Sequence, residues 1–277
     1  MNNTELKENN PFYNPEIESR MENIKNIFLI FSGKGGVGKS TIAAKLASHL
    51  VLEGKQVGLL DVDIHGPSIP TLFGIADKKL ETKKNNLEPI RVGENLKVIS
   101  IGFLLQSEND AVIWRGPLKT QMIISFLRDV EWGNLDYLII DLPPGTGDES
   151  LSICQFLNGR AEAVIITTPQ DLSVKDVQKA ITFCGQLHIP IAGIIENMSG
   201  FICPHCGENV DIFKTGGGEK LAAKSGVNFL GRIPIFPIIV EESDSGKIME
   251  SKTGEDEMAK IFKRLTTYEK GEGRNEK

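Results

Sequence analysis

The residues Gly33-Lys34-Gly35-Gly36-Val37-Gly38-Lys39-Ser40 follow the spacing G-x-x-x-x-G-K-S, with an apolar run before them and a helical stretch after. Glycines at this spacing let backbone N–H groups curl around phosphate oxygens. A helix that begins near Lys39 adds the positive end of its dipole. In such a loop Lys39 reaches the β- and γ-phosphates and Ser40 holds Mg²⁺, so ATP with Mg²⁺ is the expected ligand. Thr41, beside Ser40 in the same turn, belongs to the expected contact set.

Phosphoryl transfer also needs carboxylates at the ends of neighbouring strands. Leu59-Leu60-Asp61-Val62-Asp63 ends one apolar run, and Leu138-Ile139-Ile140-Asp141-Leu142-Pro143-Pro144-Gly145 ends another. Any one of these Asp side chains serves equally well as a loop cap. Taken with the glycine loop, Asp141 is assigned to Mg²⁺ through water and Asp63 to positioning the attacking water. Gly145 is expected to offer a backbone N–H to the γ-phosphate, because glycine allows close approach. For Asp61 a place beside the Mg²⁺ waters and a purely structural role both stay open.

A second chemical feature is Cys203-Pro204-His205-Cys206. C-x-x-C puts two thiolates on one tight loop, suited to a soft metal. Cys154 and Cys184 fall in apolar helical contexts and read as small buried hydrophobes. One chain thus supplies two good thiolates, whereas a cubane cluster or tetrahedral Zn²⁺ takes four ligands. Two chains about a two-fold axis would supply four. Three readings remain from the residues alone: a cluster bridging a dimer, a zinc half-site completed by dimerisation, and a redox-active pair. His205 either shapes the loop or faces solvent.

These groups need a scaffold. Short apolar runs recur at 26–31, 57–60, 97–101, 137–140, 163–167, 191–195 and 229–233, with helical spacing at 40–52, 118–130 and 172–187. Continuous apolar strands alternating with helices indicate an α/β fold with a mostly parallel central sheet and helices on both faces. One such domain covers 25–268. Residues 1–24 read as a flexible arm and 269–277 as a polar tail. Residues 76–95 read as a charged surface loop or hairpin, and 198–215 as a polar insertion carrying the cysteine pair. Of the 277 residues 40% are hydrophobic and 25% charged, which excludes a mainly disordered chain. No apolar run approaches the ~18 residues of a membrane span. The net charge of −6 argues against broad nucleic-acid binding. The polar start lacks an apolar signal core, so a cytoplasmic protein is expected.

With these motifs in hand, the chain resembles the Mrp/ApbC-type iron–sulfur cluster carrier ATPases. These lie in the deviant P-loop group that includes MinD, ParA and the nitrogenase iron protein. The matching strings are SGKGGVGKST (32–41), DVDIHGPSIP (61–70), WRGP (114–117), DYLIIDLPPGTGDE (136–149), IIENMSGFICPHCG (194–207) and DSGK (244–247). The resemblance implies a P-loop NTPase fold, a homodimer with ATP at its interface, and a bridging [4Fe–4S] cluster on Cys203 and Cys206. It implies that Lys34 crosses to the partner's nucleotide and that Asn197 contacts the adenine. Apo iron–sulfur proteins and a cluster donor follow as partners, with no nucleic acid and no membrane. Neither the acidic module nor the N-terminal four-Cys motif of some relatives is found here.

The alternative is a positioning ATPase of the MinD or ParA kind with a dimer-bridging zinc site. MinD-type proteins end in a basic amphipathic helix, whereas 263–277 here has no apolar stripe reaching the terminus. ParA-type proteins bind DNA through basic patches, which the acidic balance disfavours. A reductase like the nitrogenase iron protein uses widely separated cysteines rather than one C-x-x-C.

Overall fold

The computed structural model describes residues 12–64, 66–83, 86–104, 116–157, 159–203 and 205–268. Residues 1–11 of the expected arm, the polar tail, Trp114 and Arg115 of the WRGP string, and Pro204 lie outside them. Along the chain come α1 (Pro15–Met21), β1 (Ile24–Ser32), α2 (Lys39–Leu52), β2 (Val57–Asp61) and α3 (Ile69–Leu72). Next are β3 (Glu81–Lys83), β4 (Asn86–Glu88), β5 (Ile90–Val92), β6 (Leu96–Ser100), α4 (Gly116–Arg128) and β7 (Leu135–Asp141). Then follow α5 (Asp148–Phe156), β8 (Ala161–Thr167), α6 (Asp171–Gln186), β9 (Ile191–Ile202) and β10 (Asn209–Val210). The last are α7 (Gly217–Ser225), β11 (Phe229–Ile235), α8 (Pro237–Asp244) and α9 (Glu255–Tyr268).

The main sheet runs β10-β9-β8-β1-β7-β2-β6-β5, with β11 also paired to β9. Its pairs are parallel except β5–β6 and β9–β10. β1 therefore sits between β7 and β8, where the strand order reverses. In open α/β sheets the crevice at that point, beyond the strand C-termini, is where ligands bind.

Burial on both faces explains the uninterrupted apolar strands. On β1, Ile27, Leu29 and Phe31 enter one core cluster, while Phe28 and Ile30 enter the other. The first cluster is completed by Met122, Ile123, Phe126 and Leu127 of α4 and by Cys154 and Cys184, buried as expected. The second takes Ile42, Leu46 and Leu50 of α2 and Met258, Ile261, Phe262 and Leu265 of α9. Spacings of three and four residues put each set on one helix face. Burying each such side chain stabilises the fold by about 1.5–3 kcal/mol.

Two regions differ from the sequence expectation. Within the expected arm, α1 is a docked helix that buries Ile17 and Met21. Asn14 Oδ1 accepts from the N–H groups of Glu16 and Ile17 at 3.0 and 3.2 Å, and Pro15 opens the first turn. The Asn-Pro pair is thus a helix start rather than loop punctuation. β9 runs on to Ile202, seven residues past the expected strand end at 195, and β10 folds back on Phe201 and Ile202. The charged 76–95 stretch holds the expected hairpin, β3–β4, and also the edge strand β5 of the main sheet, which was not expected.

Candidate functional site

The glycine loop leaves β1 at the C-terminal edge of the sheet and turns into α2. Gly36 (φ 77°) and Gly38 (φ 80°) adopt left-handed conformations that other residues reach only with strain. Side chains added at Gly35 and Gly36 would meet nothing within 4 Å, so the loop is an open cradle. At Gly33 a Cβ would lie 2.6 Å from Asp176 Cβ, so glycine is needed for the loop to rest on α6. α2 has Gly38 at its N-cap, with no side chain to cap it, and its first turn carries no acid. Its N–H groups thus face the cradle without a competing carboxylate.

Register brings the acids together. Asp61 and Asp141 are Cα partners on β2 and β7, and both are fully buried. Lys39, only 6% exposed, places Nζ 2.6 Å from Asp141 Oδ1. Ser40 Oγ accepts from Lys39 Nζ at 3.5 Å. Burial raises the Asp141 pKa against the pull of Lys39 and Ser40. Asp61 is pushed up to about 8, first by burial and then by the Asp141 charge. Asp61 Oδ1 accepts from the Asp63 N–H at 3.1 Å and Oδ2 accepts from Ser100 Oγ at 2.9 Å. It therefore anchors the backbone that carries Asp63, which is half-buried.

Asp141 Oδ2 is buried and has no hydrogen-bond partner among the described residues. An orphaned carboxylate oxygen beside the Ser40 hydroxyl is a hard oxygen donor pair that fits Mg²⁺.

Three residues with expected nucleotide contacts make contacts within the chain. Gly145 (φ 84°) donates its N–H to Ser32 O at 2.8 Å, as the left-handed turn after β7 docks on the end of β1. Lys34 Nζ reaches Gln170 Oε1 at 3.2 Å, within the chain. Asn197, on β9, donates Nδ2 to Val37 O at 2.8 Å and so braces the cradle from below. Sequence reasoning missed Gln170 and Ser100, as well as the ion pair of Lys119 Nζ with Glu149 Oε1 at 2.7 Å, which ties α4 to α5. Glu149 lies inside a motif string and Lys119 two residues after one. That was their only signal.

Cys203 and Cys206 sit apart from this cradle, on the turn between β9 and β10. Cys203 O accepts from Gly207 N at 2.9 Å, and Cys203 N donates to Glu208 O at 3.0 Å. Cys206 is exposed and Cys203 half-buried, and both are free thiols. N–H groups of Cys206 and His205 hold the Cys203 thiol below the ordinary value. Cys154 and Cys184 are pushed up to about 12 by burial. Among the described residues, no group of three or more His, Cys, Asp or Glu side chains converges on one point.

A family model for ParA-type NUBPL iron-transfer P-loop NTPases matches residues 23–268. The chain is 50% identical over 264 residues to an iron-sulfur cluster carrier protein of Methanocaldococcus jannaschii, covering 94% of this chain and 90% of that one. It is also 50% identical over 246 residues to the cytosolic Fe-S cluster assembly factor CFD1 of Yarrowia lipolytica, covering 86% and 84%. Among solved structures, a nucleotide-binding protein from Archaeoglobus fulgidus in complex with ADP superimposes with a TM-score of 0.76 at 43% identity. That match covers 85% of this chain and 92% of the other. The MinD cell division ATPase of Pyrococcus furiosus shares the fold, with a TM-score of 0.58 at 23% identity over 88% of this chain and 97% of that one. The cradle, the buried acids and these likenesses agree: the chain belongs to the NUBPL iron-transfer family of P-loop NTPases.

Proposed function

We propose that the protein is an ATP-dependent iron–sulfur cluster carrier of the cytoplasm. It holds a labile [4Fe–4S] cluster between two copies of the chain and delivers it to apo-proteins. The observation that carries this reading is the exposed Cys203–Cys206 turn, which offers two thiols per chain where a cluster needs four ligands. The Methanocaldococcus relative, named as a carrier, supports it over nearly the whole chain. The cluster is cargo, received from a donor protein and passed on unchanged.

The nucleotide half works through this chain's own residues. Lys39 exchanges Asp141 for the β/γ-phosphate oxygens, and the loop N–H groups and the α2 N-terminus hold the rest of the phosphates. Ser40, and Asp141 through water, would hold Mg²⁺, which would supply charge neutralisation at the phosphates. Asp63, braced through Asp61, orients the water for in-line attack. Lys34 leaves Gln170 to reach the partner's nucleotide, and Asn197 contacts the base. Gly145 N–H turns from Ser32 O to the γ-phosphate as the loop closes. Hydrolysis then gates how the two chains meet at the cluster.

The rival reading, a positioning ATPase with a shared zinc, is weakened by α9. Its apolar stripe of Met258, Ile261, Phe262 and Leu265 is packed in the core, so its described residues present no free apolar face to a membrane. Among the described residues no helix is long and apolar enough to cross one. Anaerobic reconstitution with iron and sulfide, followed by iron and sulfide counts per dimer and transfer to an apo-enzyme, tests the reading. One tightly held Zn²⁺ per dimer with no iron or sulfide uptake would overturn it.

A further inference from the structure

Glu196 is fully buried, yet it belongs to neither the cradle nor the cysteine turn. Its carboxylate gathers donors from three segments. Oε1 accepts from Ser199 Oγ at 2.6 Å and from Gly216 N at 2.9 Å, and Oε2 accepts from Gly218 N at 2.5 Å. Arg232 of β11 adds an ion pair, with Nε 3.5 Å from Oε1. A Cβ at Gly218 would lie 3.2 Å from Oε2 and 2.9 Å from Thr167 Cγ2, so glycine lets the α7 terminus seat on the carboxylate. α7 has no side-chain cap of its own. Glu196 fills that place from another element, the favourable one for a negative charge.

The placement matters because of what lies between these donors. Beyond Ser199 the chain completes β9 at Ile202, makes the cysteine turn and β10, and returns at Gly216. Glu196 therefore closes both ends of the segment that carries Cys203 and Cys206.

The same stretch touches the nucleotide cradle. Asn197 donates to Val37 O, and a Cβ at Gly38 would lie 3.8 Å from Met198 Cε. β9 also bulges here. Between the partners Asn197–Ile233 and Phe201–Ile235 it advances four residues while β11 advances two. Met198 holds a positive φ of 57°, uncommon for a side-chain-bearing residue. Bulges re-aim a strand and recur beside functional sites. From Asn197 to Cys203 the strand spans at most about 20 Å.

We propose that Glu196 is a positioning residue: the clasped bulge at 196–200 transmits the state of the nucleotide loop to the Cys203–Cys206 turn. Displacing Val37 moves Asn197, and the clasp makes the base of the excursion follow as one body. This deepens the carrier reading and rests on it for its purpose. The test needs no iron, so the two can fail separately.

The experiment measures alkylation of Cys203 and Cys206 by iodoacetamide, without nucleotide and with saturating Mg-ATPγS, in the metal-free full chain. In the wild type the rate is expected to change by about fivefold, the scale of an ordinary coupling between sites. Glu196→Gln keeps the shape but turns an NH₂ toward N–H donors. It should bind ATPγS within about twofold of wild type, while the rate ratio falls to unity. A ratio retained in Glu196→Gln, or a ratio of unity in the wild type, overturns the proposal. Should Glu196→Gln fail to fold, Ser199→Ala removes one donor and leaves the carboxylate paired. A reduced ratio there supports the clasp, and an unchanged one overturns it. Iron uptake by the wild type tests the carrier reading independently.

Discussion

Lys39 Nζ and Asp141 Oδ1 are 2.6 Å apart in the floor of the cradle, although 102 residues separate them in the chain. Both are buried, so each compensates a charge that water cannot reach. Phosphate binding must redirect this lysine, which makes the pair the first contact to change when nucleotide arrives.

Lys39→Ala should therefore do two things. It should abolish tight ATP binding, and it should leave Asp141 uncompensated beside Asp61. Breaking one partner of a buried pair costs about 3–5 kcal/mol. Adding Asp141→Asn should recover much of that stability without restoring binding. Urea unfolding and calorimetric titration with ATP read the two effects. A Lys39→Ala protein as stable as wild type would refute the pairing argument.

Asp63→Asn should bind ATP and hydrolyse it slowly, since it removes the group that orients water. Asp61→Ala should resemble it, because Asp61 holds the Asp63 N–H and is bound in turn by Ser100. Asp141→Asn should instead raise the Mg²⁺ concentration needed for turnover. Single-turnover hydrolysis over a Mg²⁺ series separates these, and an Asp61→Ala variant with normal turnover would remove the bracing role.

Lys34→Ala should keep most of the ATP affinity and lose hydrolysis, as its target is the partner's nucleotide. Gln170→Ala removes its acceptor within the chain. That variant should form the ATP-dependent dimer at lower protein concentration, because less is lost when Lys34 turns outward. Sedimentation with Mg-ATPγS would show it; an unchanged dimer equilibrium argues against the exchange.

The thiols should separate by pH. The thiolate is the reactive form, and the Cys203 pKa is lowered by two N–H groups. Alkylation of Cys203 should therefore persist, as pH falls, below the range where free cysteine stops reacting. Cys154 and Cys184, pushed up to about 12, should stay unmodified in the native protein and react only after unfolding. Peptide mass spectrometry reads all four sites, and a Cys203 profile matching free cysteine would refute the first part.

Local chemistry was legible without the fold. The glycine spacing requires a phosphate cradle, because Gly36 and Gly38 take conformations that only glycine holds at little cost. Runs buried on both faces made the parallel sheet readable, and C-x-x-C defines a two-thiol turn whatever surrounds it. The helix at Pro15–Met21 was not legible, because its Asn-Pro start also marks turns and its stability comes from burying Ile17 and Met21. Above all, pairing between distant segments was out of reach. That Lys39 meets Asp141, that Asp61 faces Asp141, that Lys34 reaches Gln170 and that Glu196 closes the cysteine excursion all depend on strand order and register. Spacing along a chain governs which residues share a turn. Contacts across 20 to 136 residues are set by which strands pair, and that is decided by how the whole core packs.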